Sequence, residues 1–241
     1  MKFLLIGAIV FVVVYIVFIH PIRQAIQIST TIIDTTEPYE QTPENPVARI
    51  LVAGDSTAYG TGAADSRYSI AGRIGQLYPD ASITNVSING LRLAGLNELL
   101  KKHSADRYDL IVFQIGANDV TGFTSQADVK TELRNALSYA QVQADSTIVI
   151  TSGNVGLSPV FHPPLSQLLS WRTRVVRSIF METVAEYETA TYVDLYKDKA
   201  NDEFSTDINR YYAPDLFHPS GDGYGLWFRE VEPVLKAKLG E

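Results

Sequence analysis

Five short runs rich in β-branched residues, separated by stretches of helical periodicity, set the strongest limit on how this chain can fold. The runs are Ala48–Ala53 (ARILVA), Ser82–Ile88 (SITNVSI), Leu110–Ile115 (LIVFQI), Thr147–Thr151 (TIVIT) and Thr191–Leu195 (TYVDL). Several are apolar without alternation, the pattern of strands covered on both faces. Runs of this kind joined by amphipathic helices form parallel sheets. Val129, Leu133, Leu137 and Ala140 recur at steps of four or three. Leu165, Leu168, Leu169, Val176, Ile179, Phe180, Val184 and Tyr187 mark a core-facing stripe on a longer helix, and a last helix runs from Gly223 to Leu239. The pattern predicts an α/β chain, a three-layer α/β/α sandwich around a five-stranded parallel sheet. In such sheets ligands bind beyond the carboxyl ends of the strands.

The 241 residues, 46% hydrophobic and 20% charged, suffice for the core of one ordinary domain. A formal charge of -7 leaves no basic excess to neutralise phosphates, which excludes nucleic acid as a partner. The absence of cysteine removes a disulfide scaffold, a thiolate metal site, a cysteine nucleophile and a lipid-modified cysteine together.

Ahead of the strands, Phe3–Ile19 (FLLIGAIVFVVVYIVFI) is apolar on every side, unlike an amphipathic core helix. Counted on to Ile22 it approaches the roughly 20 residues of a membrane span. A cleaved signal peptide would show a small-x-small site, whereas His20-Pro21-Ile22-Arg23-Gln24 follows. The segment therefore reads as an uncleaved signal anchor, a transmembrane helix within residues 1–24. Lys2 and the terminal amine against Arg23 favour a cytoplasmic N-terminus and an extracytoplasmic domain. Ser29–Pro46 (STTIIDTTEPYEQTPENP) is rich in Thr and Glu with three prolines, so residues 25–46 read as a flexible tether and 47–241 as the catalytic domain.

The strand ends carry the chemistry. The first ends in Gly54-Asp55-Ser56-Thr57, the second in Asn89-Gly90 and the third in Gly116-Ala117-Asn118-Asp119. After the fifth comes Asp215-Leu216-Phe217-His218. Taken singly, these are common turn or helix-capping patterns. Their joint order resembles the SGNH, or GDSL, hydrolases from Ala48 onwards, with Thr57 standing where the family's short name has leucine, a change that bears on pocket shape. GDSTAYGTGA, PPLSQLLSWRTR and APDLFHPSGDGYGLW look like the branch of bacterial lysophospholipase-like esterases and lipases. The resemblance implies a flavodoxin-like sheet, Ser56 as nucleophile, Asp215 and His218 as acid and base, and an oxyanion hole from Ser56, Gly90 and Asn118.

The residues support that reading on their own. A serine hydroxyl needs an imidazole to take its proton, and a carboxylate to hold that imidazole. Of four histidines, His20 lies at the membrane edge and His103 at a solvated helix end after Lys101-Lys102. His162, before Pro163-Pro164, lies on the site's side as a pocket liner, which leaves His218 as base. Asp215 reaches its ring from one turn away; Asp222 and Asp207 stand as alternatives, and the family pattern favours Asp215. Gly90 would let the backbone approach the substrate closely. Asp55 and Asp119 read as loop-organising carboxylates that accept backbone N–H bonds.

No cofactor and no metal is expected, since there is neither a cysteine cluster nor an H-E-x-x-H pattern. A nucleotide site at Gly60-Thr61-Gly62 fails because Asp65 occupies the third small position and no Walker lysine follows. The expected activity is hydrolysis of carboxylic esters, a lysophospholipid or other acyl ester, through an acyl-serine. The alternatives are removal of acetyl groups from a cell-wall polysaccharide or acyl transfer at the same site. A catalytically inactive tethered binding domain would show decay at one of the five positions, and none is missing. The apolar stretch Val155–Leu169 suits an acyl chain, with ordinary helix packing as the bland explanation.

Overall fold

A computed structural model of the chain describes residues 12, 14–103 and 107–240. The expected runs form strands β1 (Ala48–Gly54), β2 (Ala81–Asn85), β3 (Tyr108–Gln114), β4 (Ala144–Ile150) and β5 (Ala190–Val193). All pair in parallel, in the order β2-β1-β3-β4-β5. The chain begins near the sheet's centre, steps out to β2 and returns past β1 to β3, so a crevice opens at the carboxyl ends of β1 and β3. Gly54 aligns with Gln114 there. Strand β2 ends three residues before Ile88, yet Val86 N–H donates to Val52 O (2.9 Å) and Ile88 N–H to Gly54 O (3.0 Å), which keeps its exit beside β1.

The helices are α1 (His20–Thr35), α2 (Ser56–Tyr59), α3 (Ile70–Leu77), α4 (Leu93–Lys102) and α5 (Ala117–Thr121). They continue with α6 (Gln126–Gln143), α7 (Leu165–Val184), α8 (Ile208–Tyr211) and α9 (Gly221–Leu239). Side chains alternate across each strand and divide the core in two. Leu51, Ala53, Ile111, Phe113 and Val149 pack with α4, α6 and α7, whereas Ile50, Val52, Leu110, Val112 and Ile148 pack with α3 and α9. This is the expected three-layer sandwich. Val129, Leu133, Leu137 and Ala140 are buried as their spacing requires, and Ser125 caps their helix by accepting from Asp128 N–H (3.1 Å). The stripe on α7 departs at Leu168, which is 45% exposed while Leu169 is buried. One residue turns a helix by about 100°, enough to point adjacent side chains to different sides.

Upstream of β1, residues 1–11 and 13 of the expected anchor lie outside the described residues. Among the described residues, Tyr15–Thr35 is one helical stretch long and apolar enough to cross a membrane by length and composition. The stretch expected as a tether from Ser29 is helical to Thr35. Thr30, Thr31 and Thr35 each donate a hydroxyl to the carbonyl four residues back, so these helix-poor residues are accommodated. Further on, Gln41 bridges Ile83 on the edge of β2, and its Nε2 donates to Tyr78 O (3.0 Å) and Ala81 O (2.6 Å). Tyr39 OH donates to Gln41 Oε1 (2.7 Å). The segment expected as a tether is therefore held to the sheet's edge at Gln41. Replacing Gln41 by alanine should lower the unfolding free energy by about 1–3 kcal/mol, read as an earlier urea midpoint. An unchanged midpoint would show that this segment contributes no hold on β2.

Candidate active site

Strand β1 delivers Asp55 and Ser56 into the crevice. Asp55 caps α2, its Oδ1 accepting from Thr57 N–H (2.9 Å) and Thr57 Oγ–H (2.7 Å). Ser56 is the first residue of that helical turn, so no intrahelical carbonyl takes its N–H. Burial of Asp55 raises its carboxyl above the ordinary range, and the Thr57 bonds together with nearby His218 only partly offset this. Asp55 accepts a backbone N–H as expected, and Thr57 both lines a small cavity beside Ser56 and supplies a second, unanticipated donor to Asp55. A hydroxyl residue two positions after an aspartate was the available signal.

The loop before α9 presents His218, the expected base. His218 Nδ1–H donates to Asp215 Oδ2 (2.6 Å), and Ser56 Oγ–H donates to His218 Nε2 (2.8 Å). An acceptor carboxylate on Nδ1 selects the tautomer that leaves Nε2 free to accept. The three side chains are enclosed: Asp215 is 1%, His218 4% and Ser56 7% exposed. Asp215 Oδ1 also accepts from the N–H groups of Phe217 and His218, both at 3.0 Å. Burial pushes its pKa up, but the His218 ring, its charge and these N–H groups outweigh burial and hold the carboxyl below its ordinary value. The turn needs Leu216 at φ 57, with its carbonyl accepting from Ser158 Oγ–H (2.9 Å). Gly62 faces the loop from α2's side at φ +97, where a Cβ would lie 2.4 Å from Pro219 O and 2.9 Å from His218 Cβ. Only a residue without a side chain allows that approach.

The other two aspartates considered as partners are engaged elsewhere. Asp222 pairs with Arg210 (2.7 Å) in an exposed bridge, and Asp207 caps α8 by accepting from Arg210 N–H (3.2 Å). Among the remaining histidines, His20 and His162 are exposed and His103 ends α4. His162 lines a cleft next to the one that holds Ser56, not that cavity itself.

Gly90 and Asn118 meet Ser56 and His218 around one cavity of about 450 Å³. Gly90 has φ +79, and an added Cβ would meet no atom within 4 Å, so its backbone borders open space. Asn118 lies within α5, whose N-cap is Gly116 and carries no side-chain bond, so the capping alternative does not describe it. Its Nδ2 donates one hydrogen to Leu91 O (3.1 Å), which orients the amide and leaves the second hydrogen. Asp119 Oδ2 accepts from Leu93 N–H (3.1 Å), the loop-organising role expected of it. A second cavity of about 50 Å³, lined by Thr57, Val155, Phe204 and Trp227 among others, opens on the other side of Ser56. Among the described residues no group of three or more His, Cys, Asp or Glu is placed to hold a metal ion.

A sequence profile of the GDSL-like lipase/acylhydrolase family matches residues 52–226. A search of curated proteins returns no match. Among solved structures, a lipolytic protein of the G-D-S-L family from Veillonella parvula superposes with a TM-score of 0.61 at 18% identity, covering 78% of this chain and 98% of that one. An acetylxylan esterase, Axe2 from Geobacillus stearothermophilus, gives 0.53 at 21% identity over 82% of this chain and 96% of its own. The salicylyl-acyltransferase SsfX3 of a tetracycline biosynthetic pathway gives 0.57 at 13% identity, over 83% of this chain and 57% of its own. At such identities the likeness is one of fold.

The lowered pKa of Asp215 has a consequence for stability. Its ionised form favours the folded state, so the contribution is complete above the unfolded carboxyl's pKa of about 3.9 and is lost as pH falls through the lower folded value. Urea midpoints of the unchanged protein and Asp215→Asn should differ at neutral pH and converge as the pH falls below about 4. A difference independent of pH would contradict the assigned shift.

Proposed function

The chain belongs to the GDSL-like lipase/acylhydrolase family, and from that premise we propose that it is a serine esterase or lipase that hydrolyses acyl esters through an acyl-serine intermediate. The observation that carries this reading is the continuous chain from Asp215 through His218 to Ser56, at 2.6 and 2.8 Å, opening into the cavity shared with Gly90 and Asn118.

In the first half-reaction Ser56 Oγ attacks the ester carbonyl while His218 Nε2 takes its proton. Ionised Asp215 holds Nδ1–H and stabilises the imidazolium that forms. The carbonyl oxygen gains charge and accepts from Ser56 N–H, Gly90 N–H and the second Nδ2 hydrogen of Asn118. His218 then returns the proton to the departing alcohol. In the second half-reaction water, deprotonated by the same nitrogen, attacks the acyl-serine carbon, and Ser56 leaves with the proton. These steps call on no metal or cofactor.

An acyl-chain ester suits the 450 Å³ cavity, which is of ligand size and walled on the domain's side by Val160, Phe161 and Phe217. Val160 and Phe161 belong to the apolar stretch after β4, and Phe217 to the loop that carries His218. The packing explanation holds for Leu169, which is buried in the core. A deacetylase reading is favoured by the smaller cavity of about 50 Å³, the scale of an acetyl methyl. The apolar N-terminal segment supports a membrane-anchored enzyme in either case.

A panel of aryl esters from acetyl to decanoyl separates the two. The acyl-ester reading requires kcat/KM to rise with chain length, and a preference for acetate would favour deacetylation. Ser56→Ala and His218→Ala should each lower kcat by roughly 10³-fold to 10⁶-fold in a folded protein. Near-normal turnover by Ser56→Ala would overturn the nucleophile. Asn118→Ala should lower kcat by about 10²-fold to 10³-fold with little change in KM, because the bond strengthens only as charge develops. Early melting with normal turnover would instead make Asn118 structural. Chelators should leave activity intact, and loss on EDTA treatment restored by a divalent cation would contradict the metal-free mechanism.

A further inference from the structure

The cavity at Ser56 has a wall that does not come from the catalytic domain. Ile22, Ala25, Ile26, Ser29, Thr30 and Ile33 of α1 line it, opposite Val160, Phe161 and Phe217. Their spacing of three or four residues places all six on one helical face. Four are apolar, and the two polar members are small hydroxyl residues. Outward-facing positions of the same helix include exposed Arg23, Gln24, Gln27 and Asp34. Ile26 is 59% exposed although it lines a cavity, so that cavity is open enough to leave an isoleucine without full cover. Across the gap, Phe161 and Phe217 meet edge to face with centroids 6.0 Å apart, and Phe217 packs against the His218 ring at 5.2 Å. An apolar helix face, an apolar aromatic wall and the nucleophile thus bound one space.

We propose that α1 is the second wall of the acyl-chain site: the chain of a membrane-derived ester lies between Ile22, Ile26 and Ile33 and the Phe161–Phe217 pair, with its carbonyl at Ser56. This rests on the esterase reading above and adds the substrate's source and the residues that select it. In sequence, α1 follows directly on the apolar run Phe3–Ile19. At 1.5 Å per residue, Ile33 stands about 16 Å along the helix from Ile22, which keeps the site within reach of a bilayer surface that holds that run. A single-chain amphiphile leaving the bilayer would then keep its tail against apolar side chains along its path. The lining residues, Ile22 to Ile33, all lie beyond Phe3–Ile19, so wall and anchor are successive parts of the chain.

The test uses the full-length protein in detergent micelles, with p-nitrophenyl acetate and p-nitrophenyl decanoate measured on each preparation. Each buried methylene is worth roughly fourfold in kcat/KM, so the unchanged protein should favour decanoate. Ala25→Trp, which fills the space, and Ile26→Asn, which makes the wall polar, should each lower the decanoate-to-acetate ratio by roughly tenfold or more, equivalent to about two methylenes. Gln27→Ala, on the exposed side, should change it by less than about twofold. The folded fraction cancels from a ratio read on one preparation. A ratio that ignores both Ala25→Trp and Ile26→Asn, while both esters are turned over, overturns the role of α1 and leaves the serine mechanism standing. Absence of turnover of either ester by the unchanged protein would overturn the reading at Ser56, and the acyl wall with it.

Discussion

Parallel pairing of β1 with β3 is the constraint from which the rest of the site follows. Parallel strands leave the sheet from the same edge, so the segments after β1, β2 and β3 must gather there whatever their distance in sequence. Ser56, Gly90 and Asn118 come from those three exits and meet at one cavity. His218 arrives separately, 162 residues after Ser56. It is held by its own loop, where Ala213 N–H donates to His218 O (2.8 Å), and by Ser158 from the segment after β4. The sheet thus fixes Ser56, Gly90 and Asn118, while a turn with one left-handed leucine aims the imidazole at Ser56.

Two buried carboxylates near that imidazole shift in opposite directions. Asp215 accepts from the His218 ring and from two backbone N–H groups, and its pKa falls despite burial. Asp55 Oδ1 accepts from the N–H and the hydroxyl of Thr57, yet burial dominates. The difference lies in how close the imidazole stands: it bonds Asp215 directly and acts on Asp55 only through its charge. The first arrangement suits a group that must stay ionised beside a base, the second a group that shapes a turn.

Much of this was legible in the sequence because it rests on local signals. Unbroken apolar runs marked the strands, steps of three and four marked the buried faces of α6 and most of α7, and the four strand-end motifs appeared in chain order. What stayed hidden depends on contacts remote in sequence. Threonines and isoleucines at residues 29–35 argue against a helix by propensity, yet the threonine hydroxyls bond back along α1, and Ser29, Thr30 and Ile33 line the cavity. Gln41 sits in a polar, proline-containing segment, and only the edge of β2 shows why it is held. Thr57 borders the pocket, and its further bond to Asp55 needed the structure. The choice among Asp215, Asp222 and Asp207 likewise required the third dimension, where Arg210 engages the latter two.

The nucleophile is tested most directly by trapping the covalent intermediate. Full-length protein mixed with excess aryl ester, quenched in acid within the first turnovers and digested, should give one peptide heavier by the acyl group, with the added mass on Ser56. The same peptide from His218→Ala should carry little or none. An acyl group on any other residue, or rapid ester turnover with no acylated peptide at the earliest times, would contradict the acyl-serine mechanism.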